Sequence, residues 1–165
     1  MSMAKKKTLS MKLLEGKKVQ YEVREYAADL RDAEEVAEAI GASADQVYKT
    51  LVVVRPKPAK PMLVMIPANR QLDLKMLAAA VSEKKIKMAS HSEAERLTGL
   101  QVGGISALAL VNRRFDVFLD KNARQLNEII ISAGQRGLQI KLAVSDLISV
   151  TGATFVTAAA DVSSS

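Results

Sequence analysis

The chain has 165 residues, 48 % apolar and 25 % charged, which suits a single globular domain with a sizeable core. With no cysteine and His91 as the only histidine, it excludes disulfides, a thiolate nucleophile, sulfur-ligated zinc and any multi-histidine metal site. The net charge of +6 favours an anionic partner such as nucleic acid or phosphate.

Residues 1–7 read as a disordered basic start and 161–165 as a flexible tail, leaving 8–160 as one domain. No apolar run follows the opening lysines or is long enough to span a membrane, so the cytoplasm is the expected location. Leu9, Met11, Leu13 and Leu14 predict a short helix that stops with Gly16 as its C′ residue. Val19, Tyr21 and Val23 alternate with polar neighbours and predict a half-buried strand running to Tyr26. Asp32-Ala33-Glu34-Glu35 has the spacing of a capping box, so a helix should follow up to Gly41, and Ser43-Ala44-Asp45-Gln46 repeats the signal for a second, shorter one.

The apolar run at 51–54 reads as a strand buried on both faces, because alternation disappears when neither face meets water. Lys49 stands just ahead of it. Its stem can lie along apolar surface, but its ammonium must reach water, a carboxylate or an anionic ligand. Pro56, Pro58 and Pro61 mark the connection to a second strand at 62–66, a hairpin. Leu72, Leu74, Leu77 and Val81 predict a helix capped by Asp73, followed by a short strand at 85–87. Ser92-Glu93-Ala94-Glu95 predicts a further helix ending at Gly99. Strands are then expected at 108–111, 117–119 and 129–131. A tight turn bracketed by Gly134 and Gly137 leads into another at 139–142, and a last helix runs to Gly152. Helices interspersed with strand pairs predict an α/β or α+β domain built on one mixed sheet.

Few residues offer chemistry. In Gly103-Gly104-Ile105-Ser106 the paired glycines allow close approach of backbone to a ligand and leave consecutive N–H groups as anion or oxyanion donors, although a Gly-Gly pair is usually just a turn. The segment from Ser132 through Gly134 to Gly137 supplies a hydroxyl, Arg136 and flexible backbone at a strand end, suited to phosphate or carboxylate or to a solvated turn. Asp116 and Asp120 flank a strand at a spacing that puts them on one face, as paired carboxylates or as ordinary charged strand ends. His91 reads as an exposed residue ahead of a helix. Six aromatics and no tryptophan argue against a platform for stacking several bases, so an RNA would be held through its phosphates.

In order and spacing, five stretches resemble the YbaK/ProX family, the free-standing prolyl-tRNA editing deacylases related to the insertion domain of bacterial prolyl-tRNA synthetases. They are Val47-Tyr48-Lys49-Thr50-Leu51-Val52, Gln71-Leu72-Asp73-Leu74-Lys75, Arg96-Leu97-Thr98-Gly99, Gly103-Gly104-Ile105-Ser106 and Ser132-Ala133-Gly134-Gln135-Arg136-Gly137. The resemblance covers residues 10–158. It implies a curved mixed sheet surrounded by helices and hydrolysis of the ester that joins a wrong amino acid to the terminal ribose of tRNA, without metal or cofactor. It also implies the tRNA acceptor end as partner, with prolyl-tRNA synthetase a candidate second one.

Carried over, Lys49 matches the family's essential lysine and Tyr26 a tyrosine near it. Gly103, Gly104, Ile105 and Ser106 match one wall of the aminoacyl pocket, and Ser132 and Gly134 match another. The expected chemistry has Lys49 clamp the terminal nucleotide or the carbonyl while N–H groups of 103–106 meet the developing oxyanion. Water, the ribose hydroxyl or, for a cysteinyl substrate, the substrate's own thiol attacks. Cys-tRNA(Pro) is the expected substrate. Alanyl or seryl tRNA, a hydrolase of small aminoacyl esters, and a tRNA-binding module without catalysis are the alternatives. Ala107 and Ala109 stand where the family loop has proline and glycine, which frees the loop backbone and is expected to reshape the pocket, a change worth roughly 1–3 kcal/mol in amino-acid preference.

Overall fold

Val52 and Val53 are adjacent, yet they lie in different clusters of the core, so the strand that carries them is buried from both sides. The computed structural model describes residues 7–160. In chain order these form α1 (Leu9–Gly16), β1 (Glu22–Glu25), α2 (Ala33–Ala39), β2 (Tyr48–Val54), β3 (Met62–Pro67), α3 (Leu74–Ala80) and β4 (Lys87–Met88). Then come α4 (His91–Thr98), β5 (Asp116–Asp120), β6 (Glu128–Ser132), β7 (Leu138–Ala143), α5 (Val144–Thr151) and β8 (Thr154–Val156), with 3-10 turns at Ala107–Leu110 and Lys121–Gln125.

The strands make two sheets, a mixed one in the order β4-β2-β3-β5-β8 and an antiparallel one in the order β1-β7-β6. One face of the larger sheet, through Val52, Leu63, Met65 and Leu119, packs with Ile129, Ile131 and Ile140 of the smaller. Its other face, through Val53, Met62, Val64 and Ile66, packs with Leu77 of α3. The expected α+β class holds, but the sheet is in two parts, joined by a parallel bridge between Val47 and Ile130. Among the described residues no helix is long and apolar enough to cross a membrane.

The caps at Asp32 and Asp73 form as expected, each carboxylate accepting the N–H three residues on. Other expectations shift. Helix α4 is capped by Ser90, whose hydroxyl accepts from Glu93 N–H, so His91 is its first residue and Ser92 lies inside it. Residues 43–46 make a single turn, because Asp45 N–H bonds the Ser43 hydroxyl while Gln46 and Val47 N–H both turn back to the Ser43 carbonyl. Gly16 is the last helical residue of α1; the left-handed position falls on Lys18 (φ 59°), and Val19 N–H closes the turn on Leu14 O. The run at 108–111 is no strand: the Ser106 hydroxyl accepts from Leu108 N–H and winds the chain into the 3-10 turn. The short strand expected at 85–87 forms at Lys87–Met88, and β8 is an additional one. Of the expected disordered start, residues 1–6 lie outside the described residues, as does the tail at 161–165; Lys7 pairs with Glu15 at 2.6 Å.

Asp116 and Asp120 do not act as a pair. Asp116 holds the Arg55 guanidinium. Asp120 is 1 % exposed and accepts from the N–H groups of Ala158 and Ala159 at 3.1 and 3.0 Å, and from Asn122. It thereby ties the end of the chain across β5. Asp120→Ala leaves these donors buried without an acceptor and is expected to cost on the order of 3 kcal/mol in urea unfolding, with the largest gain in amide exchange near Ala158.

Candidate active site

A cavity of about 220 Å³ lies where the two sheets part, between the start of β2, the residues leading into α2, and the ends of β6 and β7. Of the eight expected site residues, Lys49, Tyr26, Gly103, Ile105 and Ser132 line it. Gly104, Ser106 and Gly134 do not; they shape the walls from behind.

Each wall is braced. Val102 N–H donates to the Glu95 carboxylate at 2.8 Å, and Val102 O accepts from Arg136 Nε at 2.7 Å, so the 102–106 segment is held against both α4 and the β6–β7 turn. At Gly104 the two loops cross so closely that a Cβ would stand 2.9 Å from Arg136 N and from Gln135 C and Cα. Only glycine permits that contact. Gly103 adopts φ 93°, with the Arg136 side chain against it. On the facing wall the Ser132 hydroxyl accepts from Gly134 N–H at 3.1 Å, and Gln139, the cross-strand partner of Ser132, donates through Nε2 to the Tyr26 hydroxyl at 3.4 Å. Tyr26 N–H in turn bonds Gly137 O, fixing the tyrosine beside the turn.

Two expectations change here. The N–H of Gly104 donates to Gln101 O at 2.8 Å, so the loop does not offer an unbroken series of free donors. Ala107 is 1 % exposed, belongs to the core and does not line the cavity; its difference from proline acts on the loop rather than on the pocket surface.

Lys49 is half-buried, and its ammonium donates to Ala68 O at 3.4 Å. Burial pulls its pKa below the ordinary value, while the carboxylates of Asp32 and Glu34 at the start of α2 work in the opposite direction. Neither carboxylate comes within the 4.0 Å of an ion pair with it, so the charge is balanced at a distance and its hydrogen-bonding capacity is largely unspent. Arg31, also lining the cavity, adds a second cation. No lining residue pairs a hydroxyl with a histidine, and His91 sits on α4 outside the cavity. Among the described residues no three of His, Asp or Glu are grouped to hold a metal ion. The arrangement suits an anionic or carbonyl-bearing ligand and an attacking group brought from outside.

Thr50, Gln139, Arg31 and Asp32 also line the cavity, and sequence reading did not single them out for it. Gln139 was within reach: the glycine-bracketed turn fixes a hairpin, and its register sets Gln139 opposite Ser132.

Two outcomes follow from this geometry. Gly104→Ala must push one backbone off another, so it is expected to destabilise by about 1–3 kcal/mol in chemical unfolding and to loosen the wall. Lys49 loses its proton more readily folded than unfolded, so it opposes folding fully below its folded pKa, and the penalty fades as pH rises toward 10.5. Lys49→Met is therefore expected to raise the melting temperature at neutral pH, with the gain shrinking as pH rises toward 10.5 in calorimetry.

Comparison with known proteins agrees with this geometry. Residues 27–150 match the family model described as the aminoacyl-tRNA editing domain. A curated relative from Enterococcus faecalis, named "Putative Cys-tRNA(Pro)/Cys-tRNA(Cys) deacylase EbsC", is 40 % identical over 159 residues, 93 % of this chain and 96 % of its own. A solved structure described as "a putative trans-editing enzyme for prolyl tRNA synthetase" superposes with TM-score 0.74 at 25 % identity, covering 86 % of this chain and 87 % of that one. The hypothetical protein APE2540 shares the fold, with TM-score 0.83 at 20 % identity over 92 % of this chain and 99 % of its own. The chain belongs to the aminoacyl-tRNA editing domain family.

Proposed function

We propose that this protein is a trans-editing aminoacyl-tRNA deacylase that hydrolyses the ester of a mischarged tRNA, Cys-tRNA(Pro) foremost. The name carried by the relative at 40 % identity supports that substrate. The observation that carries the reading is Lys49, a half-buried cation at the cavity with one carbonyl as its hydrogen-bond acceptor and no close carboxylate. Such a group is held ready for an incoming phosphate or acyl carbonyl. The apolar side of the cavity, from Val36, Val47 and Leu51, suits a small side chain such as that of cysteine, alanine or serine.

In this reading Lys49 grips the terminal nucleotide, Tyr26 and Ser132 bound the aminoacyl group, and Gly103 with Ile105 close the other side. An ester is already activated, so placement and charge stabilisation suffice. The nucleophile is water or a group of the substrate, since the Ser132 hydroxyl bonds the Gly134 N–H and is hydrogen-bonded to no carboxylate, amine or imidazole among the described residues. The tRNA acceptor end is the partner, and prolyl-tRNA synthetase is the enzyme expected to hand it over.

Purified protein incubated with tRNAs mischarged with cysteine, alanine and serine tests this. Release of cysteine from the prolyl acceptor is the expected result, and Lys49→Ala is expected to lower kcat/KM at least about 10²-fold with the fold retained by circular dichroism. Binding without release of any amino acid, or unchanged turnover by Lys49→Ala, overturns the reading.

A further inference from the structure

Four consecutive residues of β2, Tyr48, Lys49, Thr50 and Leu51, line the cavity. Side chains of a strand alternate between faces, so an unbroken run means that the cavity also runs along the strand's edge. The hydrogen-bond phase identifies which backbone groups face it. Ala68 N–H bonds Val47 O on the β3 side, and Ala89 N–H bonds Val52 O on the opposite side. In an antiparallel pair successive residues alternate in direction, so Tyr48, Thr50 and Val52 point away from β3. Tyr48 is paired with Pro67, which has no N–H to give, in agreement with that phase.

On the outer side β6 reaches β2 only at the Val47–Ile130 bridge, and β4 pairs only from Val53 onward. Between them no strand among the described residues runs beside Thr50. Its N–H and C=O, with the Tyr48 carbonyl, face the cavity. Two further polar atoms there, Thr50 Oγ1 and Gln139 Oε1, are buried without a hydrogen-bond partner. A buried polar group left unpaired is costly, so a cluster of them in a cavity marks where a ligand completes the bonding.

We propose that this bare stretch of β2 is the subsite for the aminoacyl group, engaged as a short added strand: Thr50 N–H donates to the ester carbonyl, and Thr50 O with Gln139 Oε1 accepts from the α-ammonium. The proposal rests on the deacylase reading and deepens it. With water as the attacking group, its oxygen adds to the carbonyl carbon and the π electron pair moves to the oxygen held by Thr50 N–H; a thiol of the substrate would meet the same donor. Collapse reforms C=O and breaks the bond to the ribose oxygen, which takes the proton released by water. The donor lies on a ladder-fixed strand three residues from the pairing with β4, so it needs no rearrangement as charge develops.

Replacing threonine 50 by its α-hydroxy acid turns one backbone amide into an ester, which removes this N–H and weakens the Lys49 carbonyl as an acceptor in the β2–β3 ladder. Because the N–H lies outside the β2–β3 ladder, the variant is expected to fold, and Thr50→Pro offers a genetically encoded version at an edge position. The expected result is a fall of about 10²- to 10³-fold in kcat on cysteinyl tRNA(Pro), with affinity for uncharged tRNA retained. Wild-type kcat in the backbone-ester variant overturns the proposal. Should the wild-type protein release no amino acid from any tRNA, the deacylase reading fails separately. Binding of a non-hydrolysable 3′-aminoacylamido adenosine then decides the subsite. Weaker binding by the backbone-ester variant supports it, whereas equal binding by the two proteins, or none by either, overturns it.

Discussion

The outer edge of β2 is tied at both ends and left uncovered between them. One tie is the bridge to Ile130, where Ile130 N–H bonds Gln46 O; the other is the pairing with β4 from Val53. Had β6 continued alongside, the eight strands would have closed into one sheet and the cavity would not exist. The strand β6 has its own end at Ser132, two residues past the bridge, and its other edge is committed to β7. The smaller sheet therefore turns away just where Tyr48 begins, and the gap opens into the space walled by α2 and the 102–105 segment. Exposed edges elsewhere invite unwanted pairing. Here the walls narrow access to something the size of an aminoacyl group.

That geometry is worth something only if the walls hold still. The 102–106 segment lacks the ring that the YbaK/ProX pattern places at position 107, yet it is fastened at four points. Glu95 accepts from Val102 N–H, Arg136 donates to Val102 O, Gly104 rests on the Gln135–Arg136 backbone, and Ser106 caps the next turn. Preorganisation of this loop rests on a set of contacts with neighbouring elements. Ala107 faces the core, so the substitution changes how the loop is held without changing which atoms the cavity presents.

What could be read from the residues divides along physical lines. Caps with a polar side chain three residues ahead of a helical pattern, as at Asp32 and Asp73, announce themselves locally. The choice between Ser90 and Ser92 does not, because both precede a suitable glutamate-rich turn and tertiary contacts decide. The 108–111 run shows the limit of periodicity: four apolar residues buried all round are compatible with strand or turn, and one hydroxyl, that of Ser106, selects the turn. At the site, Tyr26 is reached through family resemblance alone, whereas Lys49 and Ser132 also stand out by position, one ahead of a buried strand and the other at a strand end. Thr50 and Gln139 matter through backbone direction and cross-strand register, properties that belong to paired strands and not to any one segment.

Lys49 links the edge to the charge of the molecule. An ammonium half withdrawn from water disfavours its own protonation, and the acidic start of α2 partly restores it without closing on it. A direct ion pair would have satisfied the cation and removed it from service; full exposure would have left it screened and weak. Holding Asp32 and Glu34 at intermediate range does neither. It leaves the lysine without a close carboxylate in a place where an arriving anion meets it partly withdrawn from solvent. Asp32 can play that part because its carboxylate is already committed to Glu35 N–H as the helix cap. A local folding signal thus fixes the electrostatics of a cavity formed by strands far along the chain.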